Sequence, residues 1–198
     1  MSTKVAENGW YTRDHIISMG FRSLGKNVLI SDKCSIYGAQ NIDIGDDVRI
    51  DDFCILTSVK GSIVLEGNNH IGALTYINGN GNVVLKKFSG LSSRCAVYSE
   101  TDDFTGGFMT GSTIPMKYKN VETKNVSIGR HVVVGTGSTI LPGVTLANYS
   151  SVGCNSVIRK DTKEGVFYYG NPAIGLKKRD TCGIAEMEKK YLQETKDV

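Results

Sequence analysis

The chain has 198 residues, 23 of them glycine and only three proline, with a net charge of +3 at neutral pH. That length suits one or two domains around a substantial core; the small charge, without a basic stripe among aromatics, argues against a nucleic-acid partner. No apolar run reaches the roughly 18–20 residues of a membrane span, and Cys34, Cys54, Cys95, Cys154 and Cys182 lie scattered without CxxC spacing, which suggests a reduced, cytoplasmic protein with neither a disulfide framework nor a metal site.

The chain begins Met1-Ser2-Thr3-Lys4 and shows no signal-peptide apolar segment. Residues 1–27 carry no regular repeat. Trp10, Ile16, Ile17, Met19, Phe21 and Leu24 fit one side of a short helix that turns at Gly25. Repeat folds need a cap where the core would meet water, so this segment reads as a lid over the first coil, with substrate binding as the alternative.

A six-residue aliphatic period then sets in. Inward positions fall at Ile30 and Ile36, at Ile44, Ile50 and Leu56, at Leu65, Ile71 and Ile77, and at Leu85, Leu91 and Val97. From Ile128 through Val134, Ile140, Leu146, Val152 and Ile158 the step is six without a slip. Neither a helix (3.6) nor a long strand (2) has this period; short strands turning at regular corners do, which is the hexapeptide signature of a parallel β-helix. Three sixes make a triangular coil. Between groups the step stretches to eight or nine, so the extra residues should bulge at the same corner of successive coils. Cys34, Cys54, Ser89, Cys95, Val132, Ser138, Val144, Ser150 and Ser156 take a second, small inward place. About 17 inward aliphatics, at about 1.5–3 kcal/mol each, give a gross burial term of tens of kcal/mol against a comparable chain entropy.

The period fails between Val97 and Ile128, and the loop 98–127 carries Phe104, Phe108, Met109, Ile114, Met116 and Tyr118. A long stretch inside a compact domain with that many apolar groups reads as an arm that packs on something, best a neighbouring subunit. After Asp161, Asn171-Pro172 marks a turn, and residues 184–192 place Ile184, Met187 and Tyr191 on one face of a short terminal helix. The expected organisation is a cap (1–27), a β-helix domain (28–179) and a helical tail (180–198).

Two segments, STILPGVTLANYSSVGCNSVIRKD and then YYGNPAIGLKKR, closely resemble the C-terminal coils of the hexapeptide-repeat acyltransferases. The resemblance extends over about residues 25–180, through NIDIGDDVRIDDFCIL and the DDFTGG arm. It implies an all-β fold, a single-stranded left-handed parallel β-helix; the period itself does not fix the hand. It also implies a homotrimer with acetyl-CoA as cosubstrate in a groove between prisms. Carried across by position, Thr136 and Cys154 resemble residues whose backbone binds the pantetheine arm, and Lys160 and Lys177 resemble basic residues near the nucleotide end, with Lys178 and Arg179 adjacent. Basic side chains suit the phosphates of CoA; a solvated LKKR face is the plain alternative.

Acyl transfer to a hydroxyl needs a general base and donors for the oxyanion, whereas an amine acceptor needs less help. His15 belongs to the cap and reads as structural. His131 sits in a perfect repeat and reads as a surface or cofactor-adjacent residue, with catalysis as the alternative. His70, outward at a corner beside Asn68-Asn69, is the candidate base, against a satisfied surface histidine. The maltose- and antibiotic-modifying members of the family carry a histidine where this chain has Asp102. Glu100, Asp102 and Asp103 are therefore further candidates: to orient His70, to bind the acceptor, or to act as a base. The leading expectation is acetyl-CoA-dependent O-acetylation of a sugar hydroxyl in surface polysaccharide biosynthesis. N-acetylation of a nucleotide-linked amino sugar is the alternative, followed by a non-catalytic scaffold and a zinc β-helix enzyme. The last requires three histidines to converge.

Overall fold

A computed structural model describes residues 5–195. The Met1-Ser2-Thr3-Lys4 start and the last three residues of the expected tail lie outside the described residues. The molecule is the expected left-handed parallel β-helix. Its coils stack three parallel sheets, called here faces 1, 2 and 3. Face 1 runs through Ser23–Leu24, Ile42–Ile44, Ile63–Leu65, Val83–Leu85, Val126–Ile128 and Thr145–Leu146. Face 2 holds Leu29–Ile30, Arg49–Ile50, His70–Ile71, Gly90–Leu91, Val133–Val134 and Ser151–Val152. Face 3 holds Ser35–Tyr37, Ile55–Thr57, Tyr76–Asn78, Ala96–Tyr98, Thr139–Ile140 and Val157–Ile158.

The expected inward aliphatics form the core. All are buried except Ile36, which packs half-covered against it in the first coil. The small inward places are sealed too, apart from the partly exposed Cys34. Two glycines of the perfect repeat have their own constraint: a Cβ at Gly129 would lie 2.6 Å from the amide nitrogen of Asn148, and one at Gly135 2.7 Å from that of Cys154. Those positions press on the backbone of the next coil, where only glycine fits.

The extra residues all leave at the corner from face 3 to face 1, in segments 38–41, 58–62 and 79–82, and the arm leaves there as well. This corner adds a core layer that a strict six-step overlooks. Ile42, Ile63, Val83 and Val126 are buried two residues ahead of Ile44, Leu65, Leu85 and Ile128, the ordinary alternation of a three-residue strand.

The ends depart from the expected boundaries. Ser23–Leu24 already pairs with Asp43 and Ile44, so the prism starts before residue 28. The cap is a hairpin, Ala6–Glu7 with Trp10–Tyr11, followed by the six-residue helix α1, Arg13–Ser18. Only Ile16 of α1 is sealed, and Ile17 is exposed, because a helix this short presents a single residue to the coil beneath it. The arm is 99–125, shorter than 98–127, since Tyr98 and Val126 both remain in the ladders. At the far end Val166–Gly170 and Ala173–Lys178 form a hairpin turning at Asn171-Pro172, and its first strand continues face 2. Helix α2, Thr181–Glu194, follows; the Asp180 side chain caps it by accepting from the Gly183 N–H at 3.0 Å.

Candidate active site

Inward Ile50 and Ile71 pair directly across adjacent coils of face 2, and this register puts Arg49 and His70 side by side on the outer surface. Just past Ile50, Asp51 leaves the face and reaches both. Its Oδ2 lies 2.7 Å from His70 Nε2, and its Oδ1 accepts from Arg49 Nε at 2.7 Å. Burial raises the Asp51 pKa, but the hydrogen bonds from His70 and Arg49 outweigh it, and the carboxyl is held below its ordinary range. On the other side His70 pairs with Gly90, which puts no side chain next to the ring. The His70 side chain is 56% exposed and that of Asp51 19%: an open imidazole backed by a sheltered carboxylate, the pairing that fixes a tautomer and stabilises an imidazolium. Asp51 and Arg49 escaped the sequence reading. The coil spacing of 21 residues between Ile50 and Ile71 was the signal that could have found them.

Glu100 and Asp102 lie elsewhere. They belong to Glu100–Asp102, which pairs antiparallel with Val121–Thr123 at the root of the arm, at the corner between faces 3 and 1. Glu100 accepts from Asn80 Nδ2 at 3.3 Å and meets Lys60 Nζ at 3.8 Å. Asp102 accepts from the Gly111 N–H at 3.0 Å and lies 3.9 Å from the sheltered Lys119 Nζ, so it holds the arm's fold. Asp103 ties a turn through Thr105 and Asn120, which depress its pKa. Within one chain neither Glu100 nor Asp102 meets His70; the carboxylate at its ring is Asp51, one coil below. A cleft of about 340 Å³ opens at the arm's root between Lys60, Glu100, Asp102 and Lys119.

Thr136 and Cys154 share the corner from face 2 to face 3. Thr136 Oγ1 donates to the Ser93 carbonyl at 2.6 Å, and the Asn155 N–H donates to the Thr136 carbonyl at 2.8 Å. Cys154 is an exposed thiol. Lys160 follows the last regular strand, and Lys177 lies on the outer hairpin strand opposite Phe167; both are exposed. Arg179 behaves otherwise. Its Nη1 donates to the carbonyls of His131, Tyr149 and Ser150 at 3.2, 2.6 and 2.9 Å, and burial lowers its pKa. It is a staple for the corner, unlike its lysine neighbours.

His131 stands at the corner from face 1 to face 2. That corner demands a left-handed residue in each coil, and Phe88, His131 and Tyr149 all adopt it, with φ of +61°, +57° and +59°. Coils stack about 4.8 Å apart, close to the distance at which rings stack, so His131 is sandwiched between Phe88 and Tyr149 at 5.1 Å each. Its Nε2 lies 2.6 Å from Glu188 of α2, which also pairs with Arg130. Burial, then Arg130 and Arg179, push its pKa down. The contact with Glu188 locks α2 to the prism. His15 packs at a tilt against Tyr11 inside the cap, with ring centroids 4.6 Å apart. The three histidines thus occupy three separate places.

Residues 125–160 match the model of the bacterial transferase hexapeptide family, described as six repeats. The chain is 39% identical over 161 residues to a dTDP-4-amino-4,6-dideoxy-D-glucose acyltransferase of Escherichia coli, spanning 81% of this chain and 84% of that protein. It is 29% identical over 149 residues, 73% of this chain and 72% of the other, to the putative lipopolysaccharide biosynthesis O-acetyl transferase WbbJ of Escherichia coli K12. Among solved structures, AntD, an N-acyltransferase from Bacillus cereus in complex with dTDP and 3-hydroxybutyryl-CoA, superposes with a TM-score of 0.91 at 38% identity. That match covers 96% of this chain and all of AntD.

Proposed function

The chain belongs to the bacterial hexapeptide-repeat sugar acyltransferases, and on that basis we propose that it is an N-acyltransferase for the 4-amino group of a dTDP-linked amino-dideoxy sugar, with an acyl-CoA, acetyl-CoA or a close homologue, as cosubstrate. The observation that carries this reading is likeness along nearly the whole chain, arm included, to an N-acyltransferase solved with dTDP and an acyl-CoA. The E. coli relative named for the same amino sugar supports it. The expectation of O-acetylation is correspondingly demoted; it keeps the support of the more distant WbbJ and of a histidine-carboxylate pair that a hydroxyl nucleophile would need.

In the proposed reaction the amine nitrogen bonds to the thioester carbonyl carbon and the C–S bond breaks. A nitrogen proton passes to His70 and on to the departing sulfur. Asp51 steadies the imidazolium that forms in between. The acyl-CoA would run along the corner of Thr136 and Cys154, with Lys160 and Lys177 toward its phosphates, and the sugar nucleotide would meet Glu100 and Asp102 at the arm's root. Those carboxylates lie on a different edge of the prism from His70, so the complete site would form between subunits. The exposed Phe104, Phe108, Met109 and Met116 of the arm favour such an assembly, a homotrimer in this reading. Free thiols at Cys34 and Cys54, in adjacent coils, suit a reducing cytoplasm, and the product would enter surface-glycan synthesis.

The test is CoA release with dTDP-4-amino-4,6-dideoxyglucose against neutral oligosaccharides, using acetyl-CoA and 3-hydroxybutyryl-CoA in parallel. The amino sugar nucleotide should be preferred by at least about a hundredfold in kcat/KM, as expected where a site is built around a hydrogen-bonding group. Turnover confined to neutral hydroxyl acceptors would sink the reading.

A further inference from the structure

The cap does more than cover the first coil. Trp10, in the second strand of its hairpin, lies under the guanidinium of Arg49, whose Cζ is 5.1 Å from the ring centroid. Arg49 is the residue that binds Asp51, and Asp51 the residue that holds His70. The hairpin cannot drift from this position: Trp10 bridges Ser31 of the first coil, and the Asp32 N–H donates to the Gly9 carbonyl at 3.0 Å. Asp52, next to Asp51, does not compete for Arg49 or His70. Its two oxygens are taken by Ser31 Oγ at 2.5 Å and Lys33 Nζ at 2.7 Å.

We propose that Trp10 and Arg49 are positioning residues of the reaction: the indole fixes the guanidinium, the guanidinium fixes Asp51, and Asp51 holds His70 by Nε2 so that Nδ1 faces the acceptor. The proposal rests on His70 being the base. Its physical need is plain. An arginine-aspartate pair two residues apart at the end of an open strand is a weak restraint, because solvent competes and long side chains keep their freedom. The Arg49 side chain is 55% exposed. An aromatic face beneath it supplies a second, independent contact, and a carboxylate with one oxygen already committed to Arg49 presents only the other to the imidazole. The segment that begins the chain is thereby joined to the chemistry through three contacts.

Trp10→Leu and Arg49→Gln, made separately in the full chain, test this, with Trp10→Phe as the conservative partner. Both disruptive variants should lower kcat by about tenfold, as loss of an outer-shell partner does, with both KM values within about twofold of the parent. Trp10→Phe should recover most of the turnover, since phenyl also takes a cation on its face. Independently of activity, ¹⁵N signals of His70 should move from the Nε2-protonated tautomer toward a mixture in the two disruptive variants. An unchanged tautomer in both would overturn the positioning chain. So would a loss of turnover that tracks the loss of folded protein and is not recovered by phenylalanine. A shifted tautomer with unchanged kcat would instead show that the contacts exist but His70 is not the base, which removes their catalytic meaning while leaving the acyltransferase reading intact.

Discussion

His70 and His131 each hold a carboxylate at hydrogen-bond distance, 2.7 Å from Asp51 and 2.6 Å from Glu188, yet they differ in almost everything else. The His70 side chain is 56% exposed on a flat face beside a glycine; that of His131 is 13% exposed between two rings and under a helix. Contact with a carboxylate alone does not distinguish a base from a structural clasp. The difference is whether the rest of the ring faces open space or packed side chains.

Both histidines depend on the same prism, so the largest effect should come from breaking it. Ile140→Asp buries an unpaired charge at a fully sealed position and should cost at least about 4 kcal/mol, seen as a collapse of the melting temperature. An unchanged thermal transition would contradict the register on which the comparison rests. A smaller change sharpens where the thioester arrives relative to His70. Neutralising Lys160 and Lys177 together should raise the KM for acyl-CoA by about tenfold, as expected for loss of charge-assisted phosphate contacts, and leave the KM for the sugar nucleotide unchanged. A rise in the sugar nucleotide's KM alone would assign these lysines to the other substrate.

The smallest effect concerns His131. Its folded-state pKa lies below the unfolded value, so the unfolded chain binds the extra proton first as pH falls. Stability from this residue is therefore present above about pH 6.5 and lost as pH drops through and below that value. His131→Asn, which suits the left-handed backbone there, should flatten the stability-pH curve below about pH 6.5; an unaltered slope would mean that folding does not lower the pKa of this ring.

How much of this was legible in the sequence depends on the range of the forces involved. The six-step period exposed the core from Ile30 to Ile158 because every coil repeats the same local burial. Even the corner that carries the arm could be read from three successive stretches of the period. Ile42, Ile63, Val83 and Val126 were missed because a strict six-step hides the two-step inside a three-residue strand. The stack of Phe88, His131 and Tyr149 was not readable without knowing that one corner repeats a left-handed turn and superimposes residues 43 and 18 apart in sequence. Arg49 could have been found by counting one coil back from His70, and Asp51 two residues further on. Trp10 could not, since the cap has no period and its contact with Arg49 depends on how a short hairpin lies across the first coil. Glu100 and Asp102 were recognisable as an unusual acidic pair, but their distance from His70 within one chain depends on which corner the arm leaves.

The most direct measurement is paired: turnover and melting temperature of His70→Ala and His131→Asn with dTDP-4-amino-4,6-dideoxyglucose and acyl-CoA. His70→Ala should lower kcat by at least about a hundredfold with its melting temperature unchanged. His131→Asn should melt earlier and keep kcat within about threefold, because that residue contributes to stability and not to proton transfer. Near-normal turnover in His70→Ala, or a hundredfold loss in a well-folded His131→Asn, would contradict the division of roles between the two histidines.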